Sequence, residues 1–179
     1  VARQNERTLD RIYRRFTGTD MTMRELAYTT KMLIMRDSLA SEINALSHEL
    51  ERISEFNRHY RDFTLNNLRT ALQEVVASLH VYRTYIDPAG GVVSDRDRQM
   101  VEAAVKEAKR RQPGIDKSVF DYIRDTWLLR NREAFREADR ERLDRWLMWF
   151  QQMTGPIMAK GVEDTAFYRY NRLVSLNEV

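Results

Sequence analysis

Polar and aromatic side chains crowd most densely near the carboxyl end of this sequence, in the run EDTAFYRYNRL at 163–173. Aromatic faces can stack on sugar rings, while charged and amide groups can hydrogen-bond to sugar hydroxyls. The side chains of this kind are Lys160, Glu163, Tyr168, Arg169, Tyr170, Asn171 and Arg172. The same residue types would also build an ionic network at a joint between domains, so composition leaves both interpretations open.

Glu163 and Asp164 are adjacent carboxylates, and paired carboxylates carry out glycoside hydrolysis. In that chemistry the two groups lie across one bond, about 5–5.5 Å or about 6.5–9.5 Å apart according to the stereochemical outcome. Neighbours in sequence point in divergent directions, so at most one of them can face a substrate. Because anions stabilise a helix amino terminus, composition favours capping of a following helix.

The three histidines form no recognisable metal motif. His48 and His59 could share a helix face, but no second pair of ligands accompanies them. His80 is interpreted as a core or loop residue. The sequence has no phosphate-binding glycine loop and no serine nucleophile motif, and Gly90 with Gly91 indicates a turn. We therefore expect neither a metal nor an organic cofactor.

The composition is typical of a folded helical protein. Hydrophobic residues make up 42% and charged residues 32%, which allows a packed core and argues against disorder. Only six glycines and three prolines occur in 179 residues, which favours long helices over many short strands. The 30 basic and 27 acidic residues are mixed along the chain, whereas nucleic-acid binders usually concentrate basic residues on one face.

The sequence contains no cysteine, which excludes disulfides and thiolate metal sites. No run approaches the roughly 20 apolar residues that span a bilayer, and VARQNERTLDR lacks the apolar stretch of a secretory signal. We expect a cytoplasmic location. The sequence begins at Val1 in helical periodicity and stops in the apolar LVSLNEV, so we expect a piece of a larger enzyme.

Apolar spacing predicts an all-α, irregular bundle of about six to seven helices. A short amphipathic helix over 9–16 should stop at Gly18, and Thr22 should cap the next helix. That helix, predicted as the longest, carries an apolar seam from Met32 to Ile53. A second stripe over 65–79, capped by Thr64, could pair with the seam as an antiparallel hairpin, and core packing is the favoured role of both.

The second half of the chain alternates helices with breaks. HVYRTYI at 80–86 could be extended, and Ser94 and Asp116 should each cap a helix. The charged run at 132–145 predicts an exposed helix that becomes apolar and is broken at Gly155 and Pro156. PIMAKG at 156–161 is short, apolar and bounded by glycine, like a buried strand.

The run GPIMAKGVEDTAFYRYNRLVSLNEV closely resembles a stretch of the maltooligosyltrehalose synthase family, within the α-amylase superfamily (glycoside hydrolase family 13). IYRRFTG at 12–18, RDFTLNNLRTALQEVVASLHVYRTYI at 61–86 and DRWLMWFQQMTGP at 144–156 resemble the same family. The likeness therefore runs through nearly all of the chain. That family converts the terminal α-1,4 bond of a maltooligosaccharide into an α,α-1,1 bond, in trehalose biosynthesis.

The resemblance implies a (β/α)₈ barrel parent with extra domains and retaining chemistry. A nucleophilic Asp, an acid/base Glu and a third Asp do that chemistry, and no residue of this chain matches any of them. Residues 1–154 would be a helical insertion domain, and 155–179 a segment that returns to the barrel with PIMAKG as a strand. Because barrel active sites lie at the carboxyl ends of strands, Lys160, Glu163, Tyr168 and Tyr170 are the implied substrate contacts.

A parallel strand without its neighbours leaves its backbone donors and acceptors unpaired. In this chain alone we therefore expect residues 156–179 to be rearranged, partly helical or packed on another molecule, and the chain to be inactive. The implied partners are a maltooligosaccharide and the rest of the parent polypeptide, without nucleic acid or membrane. One alternative is a stand-alone helical scaffold or adaptor; another is a nucleic-acid binder using the arginine-rich stretch at 130–145.

Overall fold

The computed structural model describes residues 3–56 and 60–172, and these ranges contain seven α-helices of eleven or more residues. The helices are α1 (Arg3–Thr17), α2 (Met23–Asp37), α3 (Ala40–Glu55), α4 (Leu65–Ser78), α5 (Asp95–Arg111), α6 (Lys117–Trp127) and α7 (Glu137–Met158). A 3₁₀ turn (Arg132–Ala134) precedes α7, and a π-helix (Ala159–Ala166) and a short α8 (Phe167–Arg169) follow it. The only β-pairing in the described ranges is one isolated bridge between Asp87 and Val92. The predicted all-α fold is confirmed.

The predicted helix starts are confirmed by side-chain caps. At each one a side-chain oxygen accepts a hydrogen bond from a backbone N–H in the first turn, which satisfies an otherwise unpaired donor. The caps are Thr22 on α2, Thr64 on α4, Ser94 on α5 and Asp116 on α6. Gly18 ends α1 with φ +67°, a left-handed conformation that glycine adopts without strain, and its N–H bonds to the carbonyl of Arg14 at 2.8 Å.

The prediction of one long helix through 32–53 is wrong, because the chain bends at Ser38 and Leu39 and starts α3 afresh. The break lets the two halves reach different neighbours: α2 packs on α4 and the π-helix, while α3 packs on α4 and α7. The seam itself is buried on both sides of the break, so the predicted core face of these helices is confirmed.

The core centres on an aromatic cluster between α6 and α7. The ring of Phe150 stacks on Trp146 with centroids 5.0 Å apart, and meets Trp127 edge-on at 4.7 Å. The indole N–H of Trp146 donates to the carbonyl of Leu46 on α3 at 3.0 Å. Aromatic pairs in these arrangements stabilise a core beyond the effect of their buried area.

A buried set of hydrogen bonds, which we call the Gln151 network, ties the linker at 79–94 to α7. The side-chain oxygen of Gln151 accepts from the backbone N–H of Ile86 at 2.8 Å and from the hydroxyl of Thr84 at 2.8 Å. Its amide nitrogen donates to the carbonyl of Ile86 at 2.9 Å. Thr84 in turn accepts from the indole N–H of Trp127 at 2.9 Å. Gln151 thus pairs with the non-helical chain as a neighbouring strand would.

The predicted break at Gly155 and Pro156 is also wrong, since α7 runs through both residues to Met158. The run at 156–161, interpreted from its residues as a strand, is helical here, and its Ile157 is fully buried. No strand lies beside it in the described ranges, so helical hydrogen bonds satisfy its backbone internally. This partly helical state is the one expected for the run outside a barrel.

Candidate functional site

The residues predicted to contact a substrate lie in the carboxyl-terminal segment, defined here as residues 159–172. Its first half is the π-helix, in which the hydroxyl of Thr165 donates to the carbonyl of Lys160 at 2.8 Å. π-Helical turns are rare and occur often at functional sites. Gly161 lies flat against α2: a Cβ there would be 2.7 Å from Cγ and 3.0 Å from Cα of Lys31. Only glycine allows so close an approach.

The four predicted contacts are placed differently within this segment. Lys160 is exposed, and Tyr168 is 79% exposed, so its ring presents a face to solvent. Glu163 is half-buried in the middle of the π-helix. Tyr170 is half-buried, and its ring meets Tyr13 of α1 edge-on at 5.1 Å. The segment therefore offers two free polar or aromatic groups, while Tyr170 is engaged within the fold.

The end of the carboxyl-terminal segment holds α1. Arg172 pairs with Asp10, a contact that raises the pKa of Arg172, and it also lies 3.7 Å from Glu6. The backbone N–H of Asn171 donates to the hydroxyl of Tyr13 at 3.0 Å. Partial burial raises the pKa of Tyr170, so this ring stays neutral at physiological pH. These contacts match the joint-building alternative for part of the polar run.

The capping role expected for Glu163 and Asp164 is wrong. Both residues lie inside the π-helix, and the following α8 begins at Phe167 without a side-chain cap. The backbone continues from α7 without a new helix start, so no free amino terminus is present for a carboxylate to stabilise. Neither residue forms an ion pair with another described residue.

A second candidate region was not predicted. A cavity of about 360 Å³ opens between α2, α4, α5 and the linker, and we call it the lysine pocket. Its polar lining consists of Arg24, Lys31, Ser78, His80, Glu107 and Arg111, with the ring of Tyr28 beside them. The volume lies within the range of small-molecule sites, which are concave and carry a few convergent polar groups.

Lys31 is the unusual member of the lysine pocket, because it is only 3% exposed. Its ammonium donates to the backbone carbonyl of Leu79 at 2.7 Å. Burial lowers the pKa of Lys31 to about 8, since desolvation disfavours the charged form. The same cause, followed by the charges of Lys31 and Arg24, lowers the pKa of His80, which is therefore neutral at physiological pH.

One wall of the lysine pocket is fixed by ion pairs. Glu107 binds Arg110 at 2.6 Å and Arg111 at 2.9 Å, and these contacts lower the pKa of Glu107 to about 2. Arg111 also forms a two-pronged pair with Glu25 on α2, at 3.1 and 3.2 Å. Its guanidinium lies 3.9 Å from the ring centroid of Tyr28. Planar paired contacts of this kind fix geometry as well as charge.

The sequence held one signal for the lysine pocket. Lys31 lies four residues before Met35 and four after Ala27, so it occupies an apolar-stripe position of α2. A lysine at such a position either extends its ammonium to solvent along its long apolar stem or is buried with its ammonium bound to a polar partner. The partners on α4 and α5 come from distant parts of the chain, and spacing does not reveal them.

The two histidines in the described ranges, His48 and His80, do not converge. His48 lies 3.6 Å from Glu51 on the exposed face of α3, and His80 is exposed at the mouth of the lysine pocket. His59 lies outside the described residues. Within residues 3–56 and 60–172, no three His, Cys, Asp or Glu side chains cluster as metal ligands would. No helix in the same ranges is long and apolar enough to cross a membrane.

Comparison with known proteins gives one consistent likeness. No protein-family model and no curated protein matches the sequence. Among solved structures, maltooligosyltrehalose synthase from Arthrobacter ramosus is 30% identical, with a TM-score of 0.70 over 99% of this chain. A point mutant of that enzyme gives 30% identity and a TM-score of 0.72 over 100% of this chain. The chain spans 19% of the length of either structure. It therefore resembles a helical segment of that enzyme, as the sequence motifs predicted.

Proposed function

We propose that this chain is a helical segment of an enzyme that makes trehalose-type ends on maltooligosaccharides. The parent would rearrange the reducing-end α-1,4 bond to an α,α-1,1 bond by intramolecular glucosyl transfer. The observation that carries the proposal is the likeness to maltooligosyltrehalose synthase, which extends over the whole chain at 30% identity. It agrees with the four sequence motifs that resemble the same family.

In this proposal the reacting carboxylates belong to other parts of the enzyme. Residues 1–154 would be a helical insertion domain, and 155–179 would return to a (β/α)₈ barrel of glycoside hydrolase family 13. The intimate packing of Gly161 on Lys31 supports a positioning role, because it fixes the carboxyl-terminal segment against α2. A misplacement of about 1 Å at a positioning element can reduce a rate about a hundredfold.

Lys160, Glu163, Tyr168 and Tyr170 are the proposed sugar contacts of the parent. The exposed ring of Tyr168 and the exposed ammonium of Lys160 have the chemistry that sugar recognition needs. Tyr170 would have to leave its contact with Tyr13 to reach a substrate. Carboxylate chemistry of this kind needs no metal or organic cofactor, and we propose a cytoplasmic enzyme whose partners are a maltooligosaccharide and its own remaining polypeptide.

A stand-alone helical scaffold or adaptor is the second candidate. The observation that favours it is the outer face of α1, where Ile12 is 59% and Phe16 is 89% exposed. These two side chains lie one helical turn apart, and contiguous exposed apolar patches mark protein-binding surfaces. An adaptor would dimerise through this face or hold a partner helix on it.

The proposal is tested first on the chain itself. Incubated with maltopentaose, the chain should form no non-reducing product above a blank, while the Arthrobacter enzyme run in parallel does. Turnover by the chain alone would contradict the placement of the reacting carboxylates elsewhere. Light scattering on the same sample separates the second candidate, because a dimer that dissociates on changing Phe16→Ser would favour the adaptor.

A further inference from the structure

Apart from the packing of Lys31 on Gly161, the lysine pocket has no role in the proposed function, yet it holds a buried positive charge. The Lys31 ammonium can donate three hydrogen bonds, and the carbonyl of Leu79 is its one acceptor among the described residues. No carboxylate of residues 3–56 or 60–172 lies within ion-pair distance of it. A buried ammonium without a counter-charge is costly, so proteins usually pair it.

A second buried donor lies beside the cavity on α4 and is closed to solvent in this conformation. Ser78 is 3% exposed, and its hydroxyl has no hydrogen-bond partner in the described part of the chain. Ser78 and Lys31 both line the cavity, and Lys31 is bonded to Leu79, the residue after Ser78. Unsatisfied buried hydroxyls are rare in folded proteins, and each calls for a specific reason.

The charged side chains that line the cavity give it a positive net charge. Arg24 and Arg111 carry positive charge there, and Glu107 carries the one negative charge among the lining groups. Glu107 is already neutralised by Arg110 and Arg111, and Arg24 touches it only at 3.7 Å. Arg24 and Lys31 therefore leave the pocket net positive.

We propose that the lysine pocket binds a small molecule with a compact oxyanion, a carboxylate or a phosphate monoester, on the Lys31 ammonium, with the Ser78 hydroxyl rotated towards the ligand. Arg24 and neutral His80 stand at the mouth, where they can donate to the remaining oxygens. Charge-assisted hydrogen bonds to an oxyanion are about twice as strong as neutral ones. The apolar wall of Met23, Ala27 and Ala77 limits the ligand to one with a small organic body.

The test is a calorimetric titration of the chain with inorganic phosphate, acetate and neutral glucose at pH 7. Phosphate or acetate should bind at one saturable site, and the tighter of the two identifies the preferred source of the oxyanion. Lys31→Met, which keeps most of the unbranched stem and removes the charge, should weaken binding about tenfold or more, and Ser78→Ala about threefold. The matched control Lys106→Met, at an exposed position of α5, should leave the affinity unchanged.

Three results would overturn the inference. One is the absence of saturable binding by both anions, with the chain shown to be folded by circular dichroism. Another is an affinity that Lys31→Met and Lys106→Met reduce equally, which would indicate only nonspecific charge attraction. The third is glucose binding as well as phosphate does. None of these results bears on turnover of maltopentaose, so this inference is tested independently of the proposed function.

Discussion

Two buried polar regions of this molecule differ in how completely their hydrogen-bonding groups are paired. In the Gln151 network the amide and its partners on the linker and α6 meet at 2.8–2.9 Å, and each group has a partner. In the lysine pocket a buried ammonium has one acceptor and the neighbouring hydroxyl of Ser78 has none in the described residues. The first region is complete by itself. The second becomes complete only with an acceptor from elsewhere.

The difference in pairing suits the Gln151 network to holding the core together and the lysine pocket to binding a ligand. A fully satisfied polar network fixes one arrangement of a core, while a partly satisfied one costs stability. Packing alone gives little reason to retain a charged, under-bonded lysine between α2 and α4, since its one structural contact of this kind among the described residues is the hydrogen bond to the carbonyl of Leu79. Binding of an anion gives such a reason, and the contrast predicts opposite consequences when each region is altered.

Loss of the amide in the Gln151 network should have the largest effect on stability. Gln151→Leu leaves the Thr84 hydroxyl proton and the backbone N–H and carbonyl of Ile86 buried without partners, so we expect a loss of about 3 kcal/mol in the free energy of unfolding. Gln152→Leu is the matched control, because Gln152 is exposed and its side chain accepts a hydrogen bond from Arg83 at the surface. Urea denaturation measures both. Equal losses of stability in the two variants would show that the Gln151 network contributes no more than an exposed glutamine, which would contradict its role in the core.

Removing the charge of Lys31 should raise the stability of the fold, whereas loss of the Gln151 amide lowers it. The gain should depend on pH. The folded pKa of Lys31, about 8, lies below the ordinary 10.5, so the unfolded chain holds the proton more tightly. The energetic penalty of the buried charge, about 3 kcal/mol, is fully present below pH 8 and disappears as the pH rises towards 10.5. The stability of the chain relative to Lys31→Met should therefore rise across this window.

The charged groups near Lys31 are the same in both proteins, so their own titrations largely cancel in this difference. They are Arg24 on α2, His80 on the linker, and Glu107 and Arg111 on α5. Urea denaturation at pH 7, 8.5 and 10 gives the comparison. A difference that stays flat with pH would show that the ammonium is not desolvated.

The contact that positions Lys31 should have a smaller effect. In Gly161→Ala the new Cβ meets Lys31 at 2.7 Å from Cγ and 3.0 Å from Cα, and a backbone atom cannot rotate away. We expect α2 to shift and the stability to fall by about 1–2 kcal/mol. Gly155→Ala is the control, since no atom lies within 4 Å of its Cβ and alanine favours a helix. A neutral Gly161→Ala, measured by thermal unfolding, would contradict the close packing.

Local patterns in the sequence were sufficient to predict the caps and the buried stripes. Thr22, Thr64 and Ser94 satisfy donors within three residues of themselves, so their signal is local. The run at 156–161 was not predictable as a helix from its residues, because a short apolar run fits either a strand or a buried helix. Its neighbours decide between the two.

The break at Ser38 and the lysine pocket depend on long-range contacts. The seam keeps its spacing across residues 38 and 39, so periodicity alone gives no sign that α2 must turn away to reach the π-helix. Lys31 reaches Leu79, and Gln151 reaches Ile86, across 48 and 65 positions of sequence. For the candidate site, the motif located the carboxyl-terminal segment, while the engagement of Tyr170 with α1 required the fold.

The central claim is that this chain supports a glucan-rearranging site whose reacting carboxylates lie elsewhere. It is tested most directly by replacing the matching segment of the Arthrobacter enzyme with this chain and measuring non-reducing product from maltopentaose. The claim predicts turnover by the chimera, reduced about tenfold or more by Lys160→Met or Tyr168→Ala but not by Lys106→Met. A chimera that unfolds as cooperatively as the parent and yet forms no product would contradict it.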